Sequence, residues 1–141
     1  MNNGKICVSV CAETAQEFSE NIKRAQRFAD FVELRFDCLD ESEIKKVEFK
    51  YDENYIRTFR PREQGGKRDL SLKEREDFWN SGEDYCGGDF EEDIIENAFG
   101  WLYKPVICSH HDFVEVPKNL FEIYERLRAT EADILKIAVQ A

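Results

Sequence analysis

Short apolar segments alternate with helix-forming segments along this chain of 141 residues, and this alternation limits the folds open to it. Strands joined by helices run parallel, because each helix returns the chain to the same edge of the sheet. We predict strands at residues 5–11, 31–37, 55–60, 84–91, 104–109 and 132–141, and helices at 15–29, 41–47, 71–80, 93–102 and after 119. The pattern therefore indicates an α/β protein.

Three polar positions mark the expected starts of helices. Thr14 with Glu17 and Ser71 with Glu74 have the spacing of capping boxes, and Asn119 is a third candidate N-cap. No Gly-x-Gly-x-x-Gly follows the first strand and the chain has no P-loop motif, so nucleotide binding by such loops is not supported. A (β/α)8 barrel of the TIM type is the other natural interpretation of this alternation, and its active site would lie where strands end and βα loops begin.

Charge and cysteine usage narrow the function classes. Twenty basic and 30 acidic residues give a net charge of −10, which argues against nucleic acid and anionic membranes as partners. No apolar run approaches the ~20 residues of a membrane span. The five cysteines match no zinc-binding spacing, so we expect reduced cysteines in a cytoplasmic protein.

Charged residues stand inside or just after the predicted strands, where an apolar core would not need them. Glu33 and Arg35 lie two apart and so face the same side of the second strand, where they could simply form an interior ion pair. Arg57 and Arg60 end the third strand, and one of them could be a solvated flank. Arg60 precedes a Gly-Gly loop, where a guanidinium could hold a carboxylate or hydroxyl oxygens.

The two histidines and one lysine are the sharpest signals of chemistry. His110 and His111 follow the fifth strand directly, and strand alternation sends one of them inward. Lys136 is the single charge in the apolar run 134–139, ILKIAV. It could be a gatekeeper on an exposed edge strand. In a buried parallel strand, however, desolvation favours the neutral amine, which can form a Schiff base with a carbonyl carbon.

Five stretches of the chain together resemble type I 3-dehydroquinate dehydratase. They are residues 6–10 (ICVSV), 32–37 (VELRFD), 58–66 (TFRPREQGG), 106–113 (VICSHHDF) and 132–139 (ADILKIAV). The resemblance follows the order of the family along essentially the whole chain. The last two stretches are the most specific, because they place the histidine and the lysine at the spacing of the family.

The resemblance implies a role for each of six residues. Lys136 would form an imine with the ketone of 3-dehydroquinate, and His111 would take the C2 proton and protonate the departing C1 hydroxyl. The products of this syn elimination would be 3-dehydroshikimate and water. The substrate-binding residues would be Ser9, Glu33, Arg35 and Arg60. No metal or organic cofactor is implied, since the imine itself accepts the electrons.

Two local departures from the family stand out. Its fourth strand reads acidic-apolar-acidic, whereas the matching segment here is 86–89, CGGD, so we expect one acidic residue to be missing. Gly87 and Gly88 also weaken this strand. Many members carry Glu directly before the Gly-Gly pair, where this chain has Gln64. The sequence therefore does not identify a carboxylate partner for His111.

The number of strands is the largest departure. A complete barrel has eight βα units and about 250 residues, so we expect a single, partial (β/α)8 barrel domain over residues 1–141, truncated after its sixth strand. Open first and sixth edges would favour association, with a homodimer as one way of covering them. The alternative function is an inactive remnant that acts only as an oligomerising or partner-binding module. A Schiff-base barrel enzyme of the aldolase type is a third interpretation.

Overall fold

The computed structural model describes residues 4–48, 52–81, 86–98 and 105–140. Six strands form one parallel sheet: β1 Cys7–Val10, β2 Phe31–Arg35, β3 Tyr55–Thr58, β4 Gly87–Glu91, β5 Val106–Asp112 and β6 Ile134–Val139. Each strand pairs with the next one along the chain, so spatial order and sequence order coincide. This topology is that of a (β/α)8-type barrel wall, which confirms the predicted fold class.

Helices follow the strands, as the alternation predicts. They are α1 Ala15–Ala25, α2 Glu41–Ile44, α3 Leu72–Asn80, α4 Ile95–Ala98 and α5 Leu120–Ala129. The capping box of α3 is complete: Ser71 Oγ accepts from the backbone N–H of Glu74, and the Glu74 carboxylate accepts from that of Ser71. Thr14 caps α1 in one direction only, by accepting from the backbone N–H of Glu17. Asn119 makes no side-chain cap, contrary to prediction.

Several predicted boundaries shift. The first helix ends at Ala25 rather than at residue 29, because the chain must turn before β2 starts at Phe31. The fifth strand continues to Asp112 and so includes both histidines. The predicted helix over 93–102 is described only as α4, and its residues 99–102 lie outside the described ranges.

The two faces of the sheet differ in chemistry. On the outer face, Val32, Leu34, Phe90 and Cys108 are at most 2% exposed and belong to the hydrophobic core. Helices α1 and α5 cover this face by contacting β1, β2, β5 and β6. Their buried residues are Phe18, Ile22, Ile123 and Leu127. The alternate residues face the barrel interior, and many of them are polar.

The edge strands are less buried than the middle ones. Within the described residues, β1 has only β2 as a neighbour and β6 has only β5. The side chain of Lys136 on β6 is consequently 41% exposed, and the prediction that it is buried is wrong. A strand paired on one side lacks the second neighbour that would cover its inward side chains.

A disulfide joins the ends of the first two strands. Cys11 follows β1 directly, Cys38 lies in a 3-10 turn after β2, and the bond spans a sequence separation of 27 residues. The prediction that all cysteines are reduced is therefore wrong for this pair. Parallel pairing of β1 with β2 brings the two residues together, which their spacing alone did not indicate. Cys7, Cys86 and Cys108 do not take part in this disulfide.

No helix within the described ranges combines the length and the apolar character needed to cross a bilayer.

Candidate active site

The strand register gathers the polar interior residues into one region. Ser9 is opposite Glu33, and Thr58 is opposite both Arg35 and Asp89. Further along the sheet, Ser109 lies between Glu91 and Lys136, and His111 is opposite Ala138. Since residues two apart share a face, these side chains all point into the interior. The predicted site residues therefore converge on one side of the sheet, at its carboxyl end.

Lys136 forms an ion pair with an aspartate on β4. Its Nζ lies 2.9 Å from Asp89 Oδ2, and the other carboxylate oxygen, Oδ1, lies 2.8 Å from Arg60 Nη2. Burial alone would raise the pKa of Asp89, but the positive charges of Arg60 and Lys136 outweigh it and hold the pKa below its usual value. Asp89 is therefore an ionised carboxylate that bridges two cations.

His111 is buried against the same arginine. Arg60 Nη1 lies 2.6 Å from His111 Nδ1 and also contacts Nε2. Because a guanidinium only donates, at least one of these two ring nitrogens must carry a lone pair. Burial and the charges of Arg60 and Lys136 lower the pKa of His111 to about 3. The imidazole is therefore neutral near pH 7, in the form that can accept a proton.

The neighbours of His111 fix its backbone and its ring. The side chain of Gln64 accepts a hydrogen bond of 2.9 Å from the backbone N–H of His111. The ring of Phe113 stacks on the imidazole with a centroid distance of 6.0 Å. Gly65, with φ +85°, lies under Phe113 so closely that a Cβ would come within 2.4 Å of that ring. A glycine is thus needed at this position for both its backbone conformation and its size.

Glu91 is a second buried acid of β4. Its carboxylate lies 3.5 Å from Arg60 Nε and 3.4 Å from Arg75 Nη1, while Arg75 also binds the more exposed Asp93 at 2.6 Å. Burial is the largest influence on Glu91, and together with the charge of Asp89 it raises the pKa to about 7 despite the two arginines. Glu91 therefore carries a proton part of the time near neutral pH.

Glu33 and Arg35 on β2 could have formed an ion pair with each other, but each contacts a different residue. Thr58 donates a 2.8 Å hydrogen bond to Glu33, and Arg35 binds both oxygens of Asp37 through Nε and Nη2 at 2.8 Å each. Asp37 is fully buried and also accepts from the backbone N–H of Lys67. This contact ties the end of β2 to the Gly-Gly loop, and it orients Arg35 toward the interior.

The two arginines of the third strand have different surroundings. Arg60 lies in the interior as predicted, at 2% exposure. Arg57 is on the outer face, also buried, with its guanidinium carbon 4.4 Å from the ring centre of Phe78 and 5.3 Å from that of Trp79. Neither arginine is therefore a solvated flank. Arg57 has a packing role beneath the helices, away from the site.

Sequence reasoning missed three acids and misjudged one strand. The segment Asp89-Phe90-Glu91 itself reads acidic-apolar-acidic and lies within β4, so the expected loss of an acidic residue at 86–89 is wrong. The two glycines precede the acids and begin the strand. Alternation of acidic and apolar residues over 89–91 was the available signal, whereas nothing in the sequence distinguished the buried Asp37 from a surface acid.

His111 and His110 separate as alternation predicts. His111 faces the interior at 9% exposure, while His110 lies on the opposite face and is half-buried. Ser9 lies on edge strand β1 and is exposed. Among the described residues, no three His, Cys, Asp or Glu side chains form a group able to hold a metal ion.

Known proteins match both the sequence and the fold. The family model described as type I 3-dehydroquinase matches residues 6–141. A 3-dehydroquinate dehydratase of Coxiella burnetii is 27% identical over 149 aligned residues, which cover 100% of this chain and 64% of the relative.

Solved structures of the same kind share the fold. The 3-dehydroquinate dehydratase of Enterococcus faecalis superposes with a TM-score of 0.74 at 22% identity, covering 99% of this chain and 67% of that one. The type I enzyme of Clostridium difficile, solved with covalently modified comenic acid, gives a TM-score of 0.72 at 23% identity, with 96% and 62% covered.

Proposed function

Because this chain belongs to the type I 3-dehydroquinase family, we propose that it dehydrates 3-dehydroquinate to 3-dehydroshikimate through a Schiff base on Lys136. One observation carries the proposal: Lys136 on β6 and His111 on the neighbouring β5 face the same interior. An amine nucleophile and a neutral imidazole on one face are the two groups that an imine-based elimination requires.

The reaction begins at the amine. Lys136 attacks the ketone carbon, and loss of water leaves an iminium whose positive nitrogen acidifies the adjacent C2–H bond. His111 removes the C2 proton and then donates it to the C1 hydroxyl, which departs as water. Elimination and hydrolysis of the imine release 3-dehydroshikimate and restore the amine. One imidazole serves as base and then as acid, which accounts for loss of both groups from the same side.

Arg60 must move for this chemistry to proceed. In the resting site it occupies the lone pair of His111 that would accept the proton. An anionic, hydroxyl-rich substrate offers Arg60 alternative acceptors, and its departure would remove a positive charge from the imidazole. The pKa of His111, now held low by burial and by Arg60, would then rise toward the range of an effective base.

The remaining predicted residues would bind the substrate. Glu33 and Ser9 lie side by side in register and can accept from or donate to hydroxyl groups. Arg35 is oriented by its bidentate contact with Asp37, so its remaining donors can meet an oxygen of the substrate. We propose these three residues, with Arg60, as the substrate-binding set.

The length of the chain relative to its relatives limits what family membership implies about its activity. The chain spans 64% of the length of the curated Coxiella relative. Activity of the 141-residue chain is therefore proposed separately from its family membership. We also propose a cytoplasmic location, and a homodimer as one way to cover the edges of β1 and β6.

The experiment is to trap the imine. The chain is mixed with 3-dehydroquinate and sodium borohydride, and its intact mass is measured. We expect one reduced adduct, mapped to Lys136 by peptide analysis and absent from Lys136→Ala. Lys45→Ala, which removes an exposed lysine at the end of α2, is the matched control and should retain the adduct. A folded wild-type chain without an adduct would overturn the proposal and favour the inactive, partner-binding module.

A second pair of variants tests the base. His111→Ala should lower turnover about 10²–10⁴-fold, the usual contribution of a general acid–base group. His110→Ala removes the same ring from the other face of β5 and should have a much smaller effect. Steady-state kinetics decide between them, and equal losses would contradict the assignment of His111.

A further inference from the structure

Asp89 is a charged residue of the interior to which the dehydration chemistry above assigns no role. It is 2% exposed, and its two oxygens contact Lys136 Nζ at 2.9 Å and Arg60 Nη2 at 2.8 Å. A buried carboxylate is costly unless it is paired, so this position is maintained by its two cations. It touches the nitrogen that the proposed reaction uses as its nucleophile.

Imine formation requires proton transfer from and to the nitrogen of Lys136. An amine in an ion pair carries its proton, and attack on a carbonyl carbon requires the unprotonated form. The whole step converts an ammonium and a ketone into an iminium and water, with no net gain or loss of protons. A proton must therefore leave the amine before attack and return before water departs.

We propose that Asp89 is the catalytic proton shuttle of imine formation at Lys136. This inference rests on the proposed Schiff-base function. The Asp89 carboxylate takes one proton from the Lys136 ammonium, and the free amine forms a bond to the ketone carbon. A nitrogen proton then passes to the resulting alkoxide, which gives the neutral carbinolamine. Asp89 returns its proton to the carbinolamine hydroxyl, the C–O bond breaks, and water leaves an iminium beside the restored carboxylate.

Two nearby carboxylates have other partners and are not paired with the amine of Lys136. Glu33 accepts its hydrogen bond from Thr58, and Glu91 contacts Arg60 and Arg75. In the resting site, Arg60 contacts Oδ1 of Asp89, and Oδ2 accepts the hydrogen bond from the amine.

Other groups share the field around this pair. The titratable or charged side chains that interact with Asp89, Lys136 or their immediate neighbours lie on β1, β2, β4 and β5 and after the end of β3: Cys7, Glu33, Arg35, Arg60, Glu91, Cys108 and His111. A test of Asp89 must therefore compare the variants at one common pH as well as across a pH range.

The first measurement needs no substrate. Competitive labelling with an amine reagent, read by peptide mass spectrometry, gives the reactivity of Lys136 at pH 8. Asp89→Asn removes the charge that stabilises the ammonium, so Lys136 should label about three- to tenfold faster than in wild type. Asp93→Asn removes a carboxylate that pairs with Arg75 and should leave the rate unchanged. An unchanged rate in Asp89→Asn would overturn the proposal.

The second measurement is the rate of borohydride trapping with 3-dehydroquinate between pH 6 and pH 9. Asp89→Asn should trap at least about tenfold more slowly although its amine is more reactive, because the shuttle is lost. A merely structural role would lower labelling and trapping together, and that result would contradict the proposal. If the wild-type chain traps nothing, the proposed function fails, while labelling still decides whether Asp89 controls the protonation of Lys136.

Asp89→Glu keeps the test valid if Asp89→Asn does not fold. It retains the negative charge, so Lys136 should label at the wild-type rate and trapping should be partly rescued. Labelling as fast as that expected for Asp89→Asn would show that packing rather than charge governs the amine, and it would overturn the proposal.

Discussion

Polar residues that face the interior are buried in the middle of the sheet and more exposed at its two edges. Arg60, Asp89 and Glu91 at the middle strands are 2–3% exposed. Ser9 on β1 is exposed, and the side chain of Lys136 on β6 is 41% exposed. The same inward alternation operates in all six strands, so residue type does not explain the difference in exposure. The difference arises because a middle strand has two neighbouring strands and an edge strand has one.

This contrast separates two kinds of ionic interaction. The middle charges are desolvated, so each depends strongly on its partner and removal of one leaves another uncompensated. The ion pair at the edge reaches solvent at one end, where water screens it. We therefore expect stability to depend strongly on Arg60 and only weakly on Lys136, although both lie on one interior surface.

The largest expected effect is at the middle. Arg60→Met leaves Asp89 and Glu91 without their shared cation and should lower the free energy of unfolding by about 3–5 kcal/mol. Lys136→Met removes the edge cation and should cost about 1 kcal/mol or less. Urea denaturation followed by circular dichroism measures both. Similar losses in the two variants would break the distinction between middle and edge.

The second-largest change in stability is expected from reduction of the disulfide, which lies at the β1 edge of the sheet. Reduction of Cys11–Cys38 frees a loop of 27 residues and should lower the free energy of unfolding by about 3 kcal/mol. Thermal unfolding with and without a dithiol reductant measures the change. The double variant Cys11→Ser/Cys38→Ser should be insensitive to reductant, and an equal response in that variant would assign the effect to something other than this bond.

Substitution of two isoleucines compares the stability contributions of a middle strand and an edge strand without involving charged groups. Ile107 on β5 and Ile134 on β6 are register partners, yet they are 8% and 46% exposed. Ile107→Ala should cost about 2–3 kcal/mol and Ile134→Ala about 1 kcal/mol, in proportion to the apolar area that each keeps from water. Chemical denaturation of both variants gives the ratio. A larger loss at Ile134 would indicate that β6 is covered in solution.

The pH dependence of stability that comes from His111 should be smaller than the losses expected at Arg60, at the disulfide and at Ile107. Its pKa in the folded protein is about 3, below the unfolded value of about 6.5, so acid protonates the unfolded chain first. This residue should therefore remove about 2 kcal/mol of stability as the pH falls from 7 to 5. Denaturation of wild type and His111→Gln at both pH values tests it. Gln retains an acceptor for Arg60, and parallel losses would show that His111 is not the source.

Local patterns predicted much of the fold. Helix α3 begins where the spacing of Ser71 and Glu74 places it, since a capping box depends only on neighbouring residues. The six strands appear in the predicted order because apolar β-branched runs have no other good way to be buried. The ends of α1 and β5 were misplaced, because the start of β2 limits the length of α1 and pairing with β6 extends β5 to Asp112.

The candidate site was predictable in part. His111 faces inward as strand alternation requires, and the residues taken from the family resemblance lie on one face of the sheet. The roles of Asp89 and Asp37 could not be read from the sequence. Both are single acids in a chain with 30 acidic residues, and only their burial against Arg60 and Arg35 distinguishes them.

The sequence by itself determined the order of the elements, the parallel sheet and the face on which Lys136 and His111 lie, because these follow from periodicity along the chain. Tertiary structure decided the disulfide between Cys11 and Cys38, the carboxylate that Lys136 meets and the exposure of that lysine. These features depend on distances between strands remote in sequence and on how many neighbours each strand has. Local patterns carry no record of either quantity.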